Sequence, residues 1–290
     1  MSVKIIFTPP KPSLPLSFEH FSTDFIDKDG ILFSKKESKI SYPVNGNDKF
    51  FQIEDNSFWY KHRSNCIIEC VKKYCPDNIF FDIGGGNGFI AKELEDTGIP
   101  TVMVEPDFRG CANAKKRKLK NIICSNLENI PLDRNSISSV GLFDVIEHIE
   151  DDITFLTLIH SFLKENGFVF ITVPAYKMLW SNEDFDDGHF RRYTIRDIEN
   201  KLKGIGFSIK YSTYLFSILP IAIFLFRTVP SKLGLNKNSY NIDKHQTEHK
   251  KNGIIDAILN QLWEYEFRKI KKGKKILFGA SCFVIATKSD

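Results

Sequence analysis

Asp82, Gly84, Gly85, Gly86 and Gly88 crowd one short stretch, FFDIGGGNGFIAKEL (residues 80–94). It runs from apolar residues through an acid and four glycines into a helix-like pattern. A glycine-rich turn between a strand and a helix lets the backbone approach a ligand where a side chain would collide, and such turns hold nucleotide-like cofactors. A phosphate loop requires G-x-x-x-x-G-K-[ST], and neither that spacing nor the lysine follows Gly84. Gly86, Gly88 and Ala91 satisfy the letters of a dinucleotide turn, and Glu105, 17 residues past Gly88, stands near the place of a ribose-binding acid. By those letters alone, a nicotinamide-dependent oxidoreductase stays open.

Two further groups carry chemistry. Asp144, Glu147 and His148 in LFDVIEHIEDD are spaced i, i+3 and i+4, hence on one face if that turn is helical. Three such donors are adequate for a divalent cation, but acids at a helix start are also ordinary dipole partners. No metal is assigned, and His148 is taken as a base or pocket residue. The second group lies in VPAYKMLWSNEDFDDGHFRRYT (173–194). A connection of roughly 18 residues exceeds the ordinary length and reads as a substrate lid. It presents Tyr176, Trp180, Asp184, Arg191, Arg192 and Tyr193 as substrate contacts and His189 as a candidate general base. Arg191 or Arg192 could bind a carboxylate or phosphate. The plain alternative is a structural lid tied by Arg–Asp pairs. Upstream, Phe58, Trp59, Tyr60 and Arg63 form either one wall of a pocket or ordinary aromatic packing.

The elements that must position these groups follow from hydrophobic periodicity. Residues 1 to about 50 read as irregular, with TPPKPSLPL extended and YPVNGNDK a turn. From Ser57, a helix-capping residue type, apolar positions recur at helical intervals to about residue 75. Strands are then expected at 78–84, 100–106, 120–126, 136–144, 167–175, 207–216 and 275–288. Helices are expected at 88–98, 109–119, 150–167 (stopped by Gly167), 194–206 (capped by Thr194) and about 253–272. This alternation predicts an α/β fold with a doubly wound, mostly parallel seven-stranded sheet, ligands binding beyond the carboxyl ends of the strands. The expected organisation is an N-terminal extension wrapping the core (1–56), a cofactor-binding core (57–216), a helical and apolar insertion (217–274) and a final core strand (275–290).

The pattern D-x-G-x-G-x-G formed by Asp82, Gly84, Gly86 and Gly88 resembles the first motif of class I S-adenosylmethionine (SAM)-dependent methyltransferases. The E-H pair after the fourth strand is similar to the branch of ubiquinone- and menaquinone-type methyltransferases. VPA-x-x-x-LWS with the later GH-x-RRYT looks like a subgroup associated with cell-surface glycan or lipid pathways. The resemblance spans residues 57–216 and the last strand, which it implies is antiparallel. It implies SAM as cofactor, with Gly84, Gly85, Gly86 and Gly88 in contact with it, Asp82 near its amino-acid portion and Glu105 on both ribose hydroxyls. Asn126 stands where the family commonly carries an acid for the adenine amine. Leu127 would pack on adenine, and Phe143 and Asp144 would flank the methionine portion. The implied reaction is direct displacement, in which an acceptor attacks the SAM methyl in line and S-adenosylhomocysteine leaves, with His189 or His148 as base. No Asn-Pro-Pro-Tyr type signature of amino-group methylation is present, which favours O- or C-methylation. A non-catalytic SAM-binding scaffold is the rival outside enzymology.

Composition narrows the partners. A net charge of +4 is too small to argue for nucleic acid. Two basic runs, KKRKLK (115–120) and RKIKKGKK (268–275), read as solvated surface or as a patch meeting anionic lipid or phosphate. Six cysteines without disulfide or zinc spacing suit a reducing, cytoplasmic setting. The run YLFSILPIAIFLFRTVP (214–230) is too short and too broken by proline for a membrane span. It reads as a buried helix, with peripheral membrane contact through 215–229, or a cover over an apolar substrate, as the rival. The expected acceptor is a small molecule or a lipid- or glycan-linked group.

Overall fold

The computed structural model describes residues 24–36, 46–75, 79–234 and 253–289. The TPPKPSLPL stretch lies outside them. Nine strands form one sheet: β1 (Phe25–Lys28), β2 (Ile31–Ser34), β3 (Phe80–Ile83), β4 (Thr101–Glu105), β5 (Asn121–Cys124), β6 (Ile137–Phe143), β7 (Leu163–Pro174), β8 (Phe207–Leu215) and β9 (Ser281–Lys288). Their order is β1-β2-β5-β4-β3-β6-β7-β9-β8. The stretch from β5 to β8 is the expected seven-stranded sheet. β3 and β4 are buried along their whole length, as in parallel sheets covered on both faces. β9 runs antiparallel to both neighbours, β7 and β8.

The count of nine corrects the expectation of seven. The extra pair comes from the N-terminal region expected to be irregular: β1 and β2 form a hairpin, and β2 joins β5 in parallel. Phe25 and Ile31 supply the buried side chains that anchor it.

The helices are α1 (Gly46–Glu54), α2 (Phe58–Tyr74), α3 (Phe89–Asp96), α4 (Phe108–Lys116), α5 (Asp152–Phe162), α6 (Asn182–Asp186), α7 (Ile195–Ile205), α8 (Leu219–Ile223), α9 (Val229–Lys232) and α10 (Gly253–Lys271). α1 begins at Gly46, inside the stretch read as a turn. Thr194 and Asp197 form a capping box at α7, and Gly206 ends that helix at φ 110°. Ser57 takes the N-cap position of α2, but its hydroxyl is buried with no partner among the described residues. Gly167 is not a helix stop. α5 ends at Phe162 because Leu163 already pairs with Ile137, so Gly167 lies within β7 beside a register shift.

The apolar run 214–230 departs most from expectation. It forms α8, a π turn at Phe224–Thr228 and then α9. Pro220 and Thr228 are buried, whereas Ile221, Leu225 and Phe226 face outward at 59%, 53% and 72% exposure. The other face docks on the rest of the molecule, with the Thr228 hydroxyl on the Leu179 carbonyl (3.0 Å), Arg227 on Glu183 (2.6 Å) and the Asn182 N–H on the Ser231 hydroxyl (3.1 Å). No helix among the described residues is long and apolar enough to cross a membrane.

Candidate active site

β3 ends at Ile83, and the chain turns through the glycines into α3. Gly88 takes φ 72°, and a Cβ there would lie 2.7 Å from the Ala114 Cβ of α4. Its role is to seat the turn against α4, and Gly84, Gly85 and Gly86 line the cavity above. Asp82 is buried at the base of the turn, with Oδ2 lacking a partner among the described residues. Burial pushes its carboxyl up to about 7, against the pull of Arg63. Glu105, at the end of β4, accepts from the Gly86 N–H (2.8 Å) and the Asp107 N–H (2.9 Å). Burial raises it as well to about 7, outweighing those two bonds. Asn126 and Leu127 follow β5 into the same wall. α1 closes it from above with Asn47, Phe50 and Glu54. The Asn87 amide ties the turn to α1 through the Asn47 carbonyl (2.8 Å) and Glu54 (2.9 Å), and Arg117 bonds Glu54 (2.8 Å) behind it.

The cavity continues past the end of β6. Phe143 and Asp144 line it; Asp144, at φ 58°, is paired with Arg63 and accepts from the Thr172 hydroxyl (3.0 Å). Glu147 is fully buried, with neither carboxyl oxygen partnered among the described residues. Burial pushes it up to about 8, so it is largely protonated at neutral pH. His148 is held down to about 4, first by burial and then by the neighbouring His189, so its ring is neutral. The two imidazoles meet edge to face at 4.7 Å. His189 comes from the lid, with Nδ1 on the Asp184 Oδ1 at 2.9 Å. Burial would raise Asp184, but its bonds to His189 and Arg192 (2.7 Å) hold it below the ordinary carboxylate range. With Nδ1 so engaged, Nε2 is the ring nitrogen left for the cavity.

A buried acid-lined turn with an unpartnered carboxyl oxygen fits a cationic, phosphate-free ligand, and the relatives agree. The family model described as a methyltransferase domain matches residues 70–212. A probable S-adenosylmethionine-dependent methyltransferase of Mycolicibacterium smegmatis is 21% identical over 58% of this chain and 66% of its own. A sphingolipid C9-methyltransferase of Gibberella zeae is 23% identical over 60% of this chain and 36% of its own. The matches thus span under two thirds of these curated relatives. A Haemonchus contortus phosphoethanolamine N-methyltransferase, solved with S-adenosyl-L-methionine, shares the fold at TM-score 0.54 and 18% identity, covering 87% of this chain and 59% of that one. Residues 70–212 thus match a methyltransferase domain, on a fold shared with a SAM-bound methyltransferase.

The cavity has a volume of about 960 Å³, at the upper end for a single small ligand. Of the lid residues read as substrate contacts, Asp184 and Arg192 line it together with His189, while Tyr176, Trp180, Arg191 and Tyr193 do not. Tyr176 stacks between Tyr214 (5.2 Å) and Phe278 (5.3 Å), and Trp180 packs edge-on to Phe185 (5.1 Å). The Tyr193 hydroxyl (2.7 Å) and Arg191 (3.0 Å) are both bound to Asp152, and Arg192 is committed to Asp184. Arg192 is a tie within the lid, and Arg191 ties the lid to α5. Trp59, Tyr60 and Arg63 form one wall, whereas Phe58 stacks on Trp263 of α10 instead.

Asp144 stands apart from the donor set able to hold a divalent ion. That set is Glu147, His148 and His189, one donor atom each within 4.8 Å of one another. Sequence reading missed Asn47, Phe50 and Glu54 because α1 reaches the site by tertiary packing, with no motif to mark it.

Proposed function

We propose that the protein is a SAM-dependent methyltransferase acting on a hydroxyl of a small-molecule, glycan- or lipid-linked acceptor, with a carbon acceptor as second choice. The observation that carries the reading is the continuity of one cavity from the acid-lined glycine turn to His189. Asp82, Glu105, Asn126 and Leu127 would hold the cofactor, with the loop glycines giving backbone access. When bound, SAM would supply a sulfonium-activated methyl group for transfer to the acceptor, with S-adenosylhomocysteine as the leaving group.

The chain's own residues align and deprotonate the acceptor. Alignment of two reactants can contribute about 7–11 kcal/mol in favourable cases. Asp184 fixes the His189 ring through Nδ1, and Nε2 takes the acceptor's proton as the new bond forms. His148, kept neutral beside it, is the alternative base. The buried, mostly neutral Glu147 adds no repulsion to an acceptor oxygen losing its proton. The sphingolipid and phosphoethanolamine acceptors in the names of similar proteins are in line with a lipid or small polar acceptor.

The test is transfer of radiolabelled methyl into cell extract split into lipid, glycan, small-molecule and macromolecular pools. Label entering one of the first three pools, with matching S-adenosylhomocysteine, is expected. SAM binding without label in any pool would instead make this a scaffold, and tight NAD binding without SAM binding would remove the reading.

A further inference from the structure

Three guanidinium groups stand on the cavity wall among the described residues, those of Arg63, Arg192 and Arg227. Each is held by a carboxylate. Arg63 of α2 pairs with Asp144. Arg192 of the lid pairs with Asp184 at 2.7 Å and also donates to the Ala175 carbonyl (3.2 Å). Arg227 of the π turn pairs with Glu183 at 2.6 Å. No lysine lines the cavity among the described residues. Arg191 and Lys201 lie off the wall, both on Asp152. Of the two imidazoles, His148 is kept neutral by burial and by His189, and His189 rests on Asp184. Glu147, Glu150 and Asp187 bring further carboxyl groups to the same wall.

An anion drawn against this wall would lose its water where every guanidinium is already committed and acids outnumber cations. Like charges brought together in a closed site are a strong means of rejecting a ligand. An uncharged body fits instead. Ile149, Phe155, Phe190 and Ile223 line this half from the β6–α5 connection, α5, the lid and α8. Trp59 adds an indole, backed by Phe216 at 3.9 Å. Beside them the Glu147 carboxyl is fully buried, with neither oxygen partnered among the described residues. A buried polar group of this kind calls for a hydrogen-bond partner, and a hydroxyl supplies one without bringing charge.

We propose that the lid half of the cavity selects a ligand that presents an uncharged hydroxyl on an apolar body, and excludes one that carries phosphate, sulfate or carboxylate beside that hydroxyl. That this ligand is the methyl acceptor rests on the transfer reading above; the charge selection does not.

The experiment is calorimetric titration of the full chain, saturated with S-adenosylhomocysteine, with naphthol, naphthoate and naphthyl phosphate at neutral pH and physiological salt. The three probes share one apolar body and differ in charge. Naphthol should bind about tenfold or more tighter than either anion. Phe190→Ser should weaken naphthol by about threefold or more, which locates the probe in this half of the cavity. Glu183→Gln with Asp187→Asn should tighten naphthyl phosphate by about tenfold and leave naphthol unchanged. Melting temperature checks that this variant folds. Should it not fold, Glu150→Gln alone, on an exposed side chain, should move the phosphate in the same direction by about twofold. An anion that binds wild type as tightly as naphthol overturns the proposal. So does naphthol that fails to bind, or a phosphate affinity unmoved by those substitutions. Protein that takes up no S-adenosylhomocysteine removes the transfer reading instead, and the same titrations on the unloaded chain still decide the charge selection.

Discussion

The half of the cavity under the glycine turn and the half under the lid are built from different materials. In the first, strand ends and backbone N–H groups make the surface, and its acids, Asp82 and Glu105, are buried on rigid elements. In the second, the lid side chains Asp184, His189 and Arg192 make a wall and hold one another, while Arg191 and Tyr193 anchor the lid on Asp152 of α5. A backbone-built pocket suits one invariant ligand. A pocket of mutually tied side chains can be altered without disturbing the sheet, which suits an acceptor that differs between relatives. The two halves should therefore fail separately.

The largest separation is expected from His189→Ala. Loss of the base should slow methyl transfer by about 10²–10⁴-fold, with SAM affinity unchanged by calorimetry. A parallel loss of cofactor binding would show that the lid supports the glycine turn and would break the distinction. Gly88→Val acts on the other half. The left-handed backbone and the contact with Ala114 should together cost about 2–4 kcal/mol of stability, read by denaturant unfolding, with SAM binding lost.

Glu105→Gln is milder. Removing a charge-assisted acceptor should weaken SAM by about 10–100-fold, with turnover at saturating cofactor nearly retained. A collapse of turnover at saturation would instead place Glu105 in the transfer step.

The smallest effect is on pH. Asp82 and Glu105 are both raised by burial to about 7, so the cofactor-free protein holds protons there below that pH. Their raised values contribute stability that is present at low pH and lost as pH rises through about 7. A cationic cofactor favours the ionised forms, so binding should expel protons and tighten by about tenfold or less between about pH 6 and 8. Calorimetry in buffers of different ionisation enthalpy measures that release. Affinity that falls over the same range would contradict the assignment of these acids to the cofactor.

The first half was legible because its signals are local. The order apolar strand, Asp82, glycines, helix and then Glu105 at the next strand end is dictated by backbone geometry, and the structure sets these groups around one cavity. The second half was legible only as a candidate lid. A loop has no periodicity, so nothing in the order of residues distinguishes Arg192, on the cavity wall, from Arg191, bound to Asp152. Hydropathy likewise marks Leu225 and Phe226 as apolar without saying which way they face, and here they face out. The hairpin β1–β2 and helix α1 escaped because short strands and a short helix carry little pattern of their own. Their places come from β5 and from Asn87, both far along the chain.

The position of β9 also bears on how the molecule is made. It fills a slot between β7 and β8, and seven of its eight residues are buried there. A ribosome releasing this chain delivers the other eight described strands of the sheet first. Until residue 281 emerges, β7 and β8 each keep an unpaired edge, the kind of template on which chains aggregate. The cavity also lacks Ser281 until then. The cavity is thus complete only once β9 is in place, and a protein stopped short of it would be exposed to misassembly before the cavity had formed.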